Sequence, residues 1–121
     1  MALTKGVTSV WASQTLTAGA GDTTGMAVDT SNSYDTAISA RITNGATGPT
    51  IPAQIQIEVS YDNSDWYAYG PALVGGTDNN GVYEWGAIDI PMAVQYVRPV
   101  GGSNTDQNVT VDFEVGEVTA V

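Results

Sequence analysis

Apolar and polar residues alternate most clearly over residues 53–61, AQIQIEVSY. Every second residue from Ala53 to Tyr61 is apolar, and this period of two predicts a strand with one buried face. The sequence DNSD at 62–65 has the composition of a turn, and WYAY after it begins a second strand. These features together predict a β-hairpin over residues 53–69.

The register of this hairpin decides which aromatic side chains are buried. A four-residue loop places Tyr61 opposite Trp66 and Val59 opposite Ala68, so that Trp66 joins the apolar face. Tyr67 and Tyr69 then point to the opposite face, whereas a loop one residue longer or shorter reverses the assignment. The predicted core residues of the hairpin are Ile55, Ile57, Val59, Tyr61 and Trp66.

Other strands are predicted where β-branched and aromatic residues stand between glycine-rich turns. Gly86 is a candidate bulge, and Pro99 suggests a sheet edge or a strand end, since proline has no N–H to donate. In the first strand, either Val10, Ala12 and Leu16 face inward or Val7 and Trp11 do, unless both faces are covered. Inward faces elsewhere are Ile38, Ala40 and Ile42, and Val109, Val111, Phe113 and Val115. The strands are 7–16, a weak one at 23–29, 36–43, 82–90, 94–100 and 109–115.

With the hairpin, these segments make eight short strands, and no run of ten or more residues has a helical period. The pattern predicts an all-β fold, an antiparallel β-sandwich or jelly roll, as a single domain over residues 1–121. Residues 1–5 are predicted to be a short N-terminal arm, and 70–81 an irregular connection. Residues 116–121 either continue the last strand or form a tail.

Composition removes most enzyme classes. The chain has no cysteine, no histidine and a single lysine, and it contains neither a nucleophile elbow nor a phosphate-binding glycine loop. We therefore expect no enzyme activity, no catalytic residues and no cofactor. A net charge of −10 with three cationic residues argues against nucleic acid and membrane surfaces as partners. The start of the chain lacks the apolar run of a signal peptide, which predicts synthesis without Sec export.

Two acidic turns carry oxygen ligands that suit calcium, DNSD at 62–65 and DNN at 78–80. Neither has the spacing of an EF-hand, and Asp and Asn are expected in turns for their local hydrogen bonds. We therefore predict turns rather than metal sites. The carboxylate pairs Glu84 with Asp89 and Asp112 with Glu114 are likewise interpreted as solvated acids and not as a glycosidase pair.

The remaining candidates are aromatic and cationic side chains. Trp66, Tyr83 and the residues near them could form a sugar-stacking platform, but a division between core and protein interface is the preferred interpretation. Arg41 and Arg98 are expected to be ion-pair partners, with Glu58 a partner for Arg41 if their strands pair. The candidate partner-contact residues are Tyr67, Tyr69 and Trp85.

Two segments resemble small virion proteins of tailed bacteriophages. In the first, VSYDNSDW at 59–66, an alternating strand leads into Ser-x-Asp-Asn-x-x-Trp. The second is QYVRPV at 95–100, followed by a Gly/Asn loop and VTVDFEV at 109–115. Together they belong to about the C-terminal half of the chain.

The resemblance implies a head decoration, or cement, protein. Such a protein is a compact β-sandwich, often a homotrimer, that binds the major capsid protein and ties capsomers together at the capsid surface of the virion. It would be made in the host cytoplasm. The alternatives are a tail or head–tail connector component, and a carbohydrate-binding or adhesin module that uses the aromatic residues.

Overall fold

The computed structural model describes residues 3–120, and these form nine strands. The fold is all-β, as predicted, and the weak strand predicted at 23–29 is divided into two short ones. The strands are β1 Thr4–Leu16, β2 Thr23–Thr24, β3 Val28–Asp29, β4 Asp35–Asn44, β5 Gln54–Ser60, β6 Tyr67–Val74, β7 Val82–Ile90, β8 Tyr96–Gly102 and β9 Val109–Ala120.

The strands form two antiparallel sheets. Sheet A has the order β1-β9-β4-β7, and sheet B has the order β2-β8-β5-β6 with β3 also paired to β8. When β2 and β3 are counted as one interrupted strand, the first strand pairs with the last and the second with the next to last. In the same nested order, β4 pairs with β7, and β5 pairs with β6 as the innermost hairpin. This nested pairing is a jelly roll, the narrower of the two predicted architectures.

The inner faces of the sheets carry the residues that alternation predicted. The inward residues predicted for β4 and β9 are all buried, as are Ile55, Ile57 and Val59 of β5. Phe113 is fully buried at the centre of sheet A and meets Trp11 edge to face, with ring centroids 6.2 Å apart. Edge-to-face contacts of this kind stabilise a core beyond the area that they bury.

Strand β1 follows neither of its two predicted face assignments. Trp11 and Leu16 are both buried although five positions separate them, while Val7 is exposed. Register shifts flank Trp11, and Ser13 has a φ of 52°. Because each bulge inserts an unpaired residue, side chains after it change face.

The predicted N-terminal arm at residues 1–5 is wrong for its last two residues. Thr4 pairs with Ala120 and Lys5 with Val118, so both belong to sheet A, while Met1 and Ala2 lie outside the described residues. The same pairs show that β9 continues to Ala120, which settles the alternatives left open for 116–120.

The β5–β6 register is one residue away from the predicted one. Val59 lies opposite Tyr67, and Ile57 lies opposite Tyr69, so both tyrosines are on the core-facing side of sheet B. The predicted opposite face is therefore wrong. Trp66 is half-buried outside the core, and Tyr61 is exposed. The predicted core position of both residues is therefore wrong.

Side-chain hydrogen bonds in the loop explain the difference. The loop has six residues, 61–66, and the Ser60 hydroxyl accepts from the backbone N–H groups of Asp62 and Asn63. Asp62 Oδ1 in turn accepts from the N–H groups of Ser64 and Asp65. These bonds stabilise a longer loop than the turn composition alone indicates, and a shift of one residue reverses the faces.

The segment 70–74, predicted to be irregular, continues β6. A register shift between Ile55 and Ile57 marks a bulge around Gly70, whose φ of 66° favours glycine. The Gln56 amide fills the gap by donating to the carbonyls of Tyr69 and Gly70. Glycine and proline in this segment thus mark a bulge within a strand and not a loop.

The two other positional predictions have mixed outcomes. A register shift in β7 at Gly86 and Ala87, where Ala87 has a φ of 53°, confirms the predicted bulge. Pro99 lies inside β8 and opposite Ile57, so the predicted edge or strand end is wrong. Its carbonyl accepts from Gly25, in the break between β2 and β3, and its missing N–H faces that same break. Within residues 3–120, the structure has no helix long and apolar enough to cross a membrane.

Candidate functional site

Two of the three predicted contact residues line a groove between β6 and β7. These strands end their respective sheets on the same side of the sandwich, and the Tyr69 hydroxyl spans the gap to donate to the Asp89 carbonyl, 2.9 Å away. Beside this bridge lies a mainly apolar concavity of about 400 Å³. We call it the edge groove, and its lining is Ile57, Tyr69, Gly70, Pro71, Trp85 and Ile88.

Core packing holds the aromatic walls of the edge groove. Tyr69, Trp85 and Ile88 are half-buried and pack against the hydrophobic core with part of each side chain. Trp85 reaches the groove because it faces inward from β7, one position before the bulge at Gly86. The groove is therefore a fixed apolar surface, and Tyr69 and Trp85 are available to a ligand only through their outer parts.

Tyr67 lies apart from that groove, at the end of the sandwich where the chain begins. Three connections meet there, 30–34, 61–66 and 91–95, joined by hydrogen bonds from Gln95 N–H to the Ser60 carbonyl and from Thr30 N–H to the Gln95 carbonyl. Four large side chains on this end are 54–70% exposed. We call it the terminal end, and these residues are Tyr34, Tyr61, Tyr67 and Met92.

The four exposed side chains lie in two parts of the terminal end. Tyr34 and Met92 line a concavity of about 470 Å³ together with Thr119 near the end of β9. Tyr61 and Tyr67 form a tilted pair with ring centroids 6.5 Å apart. Sequence reasoning missed Tyr34 and Met92, because an isolated apolar residue in a loop gives no signal until the connections of the fold bring several together.

The first acidic turn has a structural role. Asp62 lies in the exposed β5–β6 loop, and hydrogen bonds from the backbone N–H groups of Asp65 and Ser64 hold the pKa of Asp62 below its ordinary value. Its Oδ1 atom also accepts from the Ser60 hydroxyl. One carboxylate oxygen is thus committed to the loop itself, as expected for an Asx-type turn.

The second acidic turn closes over Tyr83. The Tyr83 hydroxyl donates to Asp78 Oδ2 at 3.3 Å, and a Cβ atom on Gly76 or Gly81 would overlap the Tyr83 side chain. The buried amide of Asn44 donates to the carbonyls of Gly76 and Asp78, which fixes the loop to the end of β4. Across residues 3–120, no three acidic side chains come close enough to hold a metal ion.

Both arginines are in ion pairs, as predicted, but Arg41 has a different partner from the suggested Glu58. Arg41 lies 3.4 Å from Glu84 on the exposed face of sheet A, opposite it in the β4–β7 register. Arg98 contacts Glu58 at 2.8 Å on the outer face of sheet B, and its Cζ atom lies 3.9 Å from the centroid of the Trp66 ring. This stack explains why Trp66 lies outside the core.

The carboxylate pairs lie on the outer face of sheet A. Asp112 and Glu114 share a shallow concavity with Glu84 and Arg41. Asp112 Oδ1 accepts from the Ser13 N–H at 2.9 Å, which commits it to the irregular part of β1. Asp89 lies beyond the β7 bulge from Glu84, so the pair suggested there is interrupted. The arrangement gives an acidic outer face with one paired guanidinium.

The aromatic residues do not form one flat platform. Trp66 is covered on one face by Arg98, Tyr83 is enclosed by its loop, and Trp85 is half-buried in the edge groove. The Tyr61–Tyr67 pair is the exposed aromatic pair at the terminal end. Stacking on a sugar would therefore involve these tyrosines and not the tryptophans.

Comparison with known proteins gives a fold relationship. No protein-family model matches the chain, and no curated protein matches it. A solved structure with similar architecture is described as "Structure of infectious bursal disease virus Gx strain", with a TM-score of 0.56 and 9% sequence identity. The match covers 94% of this chain and 31% of that one, so this chain corresponds to about a third of the length of the viral chain. At this identity the likeness concerns the fold alone.

Proposed function

We propose that this chain is a structural protein of a bacteriophage virion, a head decoration protein that binds the major capsid protein at the capsid surface. The observation that carries the proposal is the terminal end, where Tyr34, Tyr61, Tyr67 and Met92 expose apolar surface on one end of a jelly roll. Exposed apolar side chains collected on one surface mark an interaction site. The role requires surface complementarity and no chemistry.

The fold supports a viral structural role without specifying it. Jelly rolls are frequent in viral capsid domains and also in lectins, so function has to be argued from the surface. The chain fits over 94% of its length onto part of a chain in a virus structure. The sequence resemblance to phage virion proteins points in the same direction and supplies the finer proposal of a cement protein.

The terminal end is a suitable capsid-facing surface for a further reason. Strand β1 begins there with Thr4 paired to Ala120, and the N–H of Tyr34 donates to the Val118 carbonyl near the end of β9. Many identical contacts around a shell give avidity, so each individual contact can be weak. A homotrimer, as in the resembling family, would multiply this effect.

Binding to assembled heads tests the proposal. Purified chain is mixed with heads made of the major capsid protein of the same phage, and co-sedimentation measures the bound fraction. We expect saturable binding that Met92→Asp weakens at least tenfold, since it puts a charge into the apolar contact. Ile51→Asp is the matched control, because Ile51 is similarly exposed but lies in a connection at the opposite end.

The possible results test separately the binding to heads, the end that faces the capsid, the position in the virion and the oligomeric state. If the wild-type chain does not bind heads, the decoration role is wrong. If Ile51→Asp abolishes binding and Met92→Asp does not, the opposite end faces the capsid. Electron cryomicroscopy of virions distinguishes decoration, which follows the icosahedral lattice, from a tail or connector position. Light scattering should give three times the 12.5 kDa chain mass if the protein is a homotrimer.

Carbohydrate binding is the second candidate function. The exposed Tyr61–Tyr67 pair lies beside the acidic loop 62–65, and tyrosine faces next to carboxylates suit sugar rings and their hydroxyls. A glycan array with wild type and Tyr67→Ala tests it. Saturable binding lost in the variant would support a lectin role, and an array without binding would exclude the glycans tested.

A further inference from the structure

The outermost strand of sheet A, β7, has one backbone edge that no other strand covers within residues 3–120. We propose that this edge and the adjoining edge groove bind an extended segment of the capsid protein as an added strand. The segment would carry apolar side chains at alternate positions and lysine or arginine between them. This inference rests on the proposed function and adds to it a second attachment to the capsid protein, along the side of the sandwich and separate from the contact at the terminal end.

Hydrogen-bonding groups at the start of β7 are oriented for such an addition. Asn44 N–H donates to the Gly81 carbonyl just before β7 begins, at 2.8 Å. Because backbone groups alternate direction along a strand, Tyr83 and Trp85 bond toward β4, while the N–H and C=O groups of Val82 and Glu84 point to the free edge. Two residues thus offer four backbone groups to an incoming strand, as in β-augmentation.

Farther along β7 one edge-facing carbonyl already has a partner. The Asp89 carbonyl faces the free side and accepts the Tyr69 hydroxyl from sheet B. The bulge at Gly86 and Ala87 separates this capped part from the regular part before it. The bulge and the cap both limit pairing of the whole edge with another sheet, which leaves a short segment for a specific partner.

The edge groove determines which side chains the added strand would present inward. Side chains of an added strand would lie beside inward-facing Trp85 and outward-facing Glu84 in alternation. The inward positions would enter the apolar concavity of about 400 Å³ between Trp85 and Pro71. Aliphatic residues at every second position would fill this space and bury the exposed parts of Tyr69 and Ile88.

Charge determines the residues between them. On the outer face, the added strand would lie beside Glu84, and the concavity next to Glu84 adds Asp112 and Glu114. Arg41 pairs with Glu84 but leaves an excess of carboxylates. Lysine or arginine at the outward positions would complement them. A second copy of this chain is disfavoured as the occupant, because each copy carries a net charge of −10.

Synthetic peptides test the site directly. The probe is Lys-Val-Lys-Leu-Lys-Val-Lys, and the controls are a block peptide of the same composition and the analogue with glutamate for lysine. Titration followed by tryptophan fluorescence and calorimetry should give saturable binding to the alternating peptide, at least tenfold tighter than to either control. Equal affinity for the block peptide would reduce the effect to nonspecific charge attraction and overturn the proposal.

Two variants locate the binding. Val82→Pro removes an edge-facing N–H at the first residue of β7, where proline is tolerated, and Val82→Thr is its matched control. Glu84→Lys reverses the charge beside the added strand. We expect Val82→Pro and Glu84→Lys to weaken peptide binding at least tenfold, and Val82→Thr to bind as the wild type does. Peptide binding unchanged in the first two variants would overturn the proposal.

Head binding with the same variants keeps this inference separate from the proposed function. Loss of head binding in Val82→Pro and Glu84→Lys, with circular dichroism unchanged, would support attachment through β7. Normal head binding by both would reject the edge while leaving the decoration role intact. Self-association of the wild-type chain that Val82→Pro abolishes would identify a second copy as the occupant and overturn the proposal.

Discussion

Replacing Trp66 by alanine tests the register of the β5–β6 hairpin. In the structure the ring lies outside the core, against Arg98, with 3.9 Å from the guanidinium carbon to the ring centroid. The stack contributes about 0.5–1 kcal/mol, and the partly buried ring adds about 1 kcal/mol of apolar burial. We therefore expect Trp66→Ala to lower the free energy of unfolding by about 1–2 kcal/mol. The core position predicted by alternation would instead cost about 3–5 kcal/mol.

Coupling with Arg98 makes this test specific. Arg98 Nε donates to Glu58 Oε1 at 2.9 Å, and the two side chains are 26% and 24% exposed. Arg98→Ala removes this charge-assisted bond and the stack, for a cost of about 2–4 kcal/mol. Because Trp66→Ala removes the same stack, the double variant should cost about 0.5–1 kcal/mol less than the sum of the two single variants.

Urea denaturation followed by far-ultraviolet circular dichroism measures all four proteins, and unchanged m-values ensure that the free energies are comparable. Trp66→Phe is the control, because it keeps an aromatic face for the guanidinium. A cost above about 3 kcal/mol for Trp66→Ala, without coupling to Arg98, would put the indole in the core and refute the register.

Three further predictions address the core, the acid response and the edge of the sandwich. Phe113→Ala should lower the free energy of unfolding by about 3–5 kcal/mol and the Tm by more than about 10 °C in calorimetry, because it leaves a cavity beside Trp11. A smaller decrease in Tm would contradict a rigid core. Burial raises the pKa of Glu117 above its ordinary 4.5, so the wild type loses stability as the pH rises through that raised pKa. Glu117→Gln should then be more stable than wild type at pH 7, a gain that vanishes below about pH 4, whereas a gain of equal size at both pH values would contradict the ionisation mechanism. Tyr69→Phe removes the bond to the Asp89 carbonyl and should cost about 0.5–1.5 kcal/mol, with faster amide exchange near the end of β7 and unchanged exchange in β9.

The partner-contact role of Tyr67, Tyr69 and Trp85 stays a prediction, and the structure gives only their positions. Tyr69 and Trp85 line the edge groove, although the outer face on which the selection of Tyr69 depends is wrong. Tyr67 was selected with them but lies at the terminal end, beside Tyr61. Met92 was not foreseen, because a single exposed methionine in a connection acquires meaning only from the residues that other connections bring near it.

Local pattern determined the all-β class and the core-facing residues of three strands. The alternation in β4, β5 and β9 identified which side chains are buried, since the period of a strand is a property of the backbone itself. The glycine at 86 marked a bulge for a similarly local reason. The sheet edge or strand end predicted from Pro99 is wrong, because the break between β2 and β3 accommodates proline inside the sheet.

Only the tertiary structure decided the strand order, the register of the hairpin and the position of the surfaces. Ser60 and Asp62 stabilise a six-residue loop through local bonds that the alternation of apolar and polar residues does not encode. Arg98, which lies in β8 and outside residues 53–69, holds Trp66 outside the core. Because the register differs by one residue from the predicted one, Tyr67 and Tyr69 face the core side and Trp66 faces outward. Alternation thus fixes that one face of a strand is buried, but contacts between distant segments determine which residues meet across the sheet.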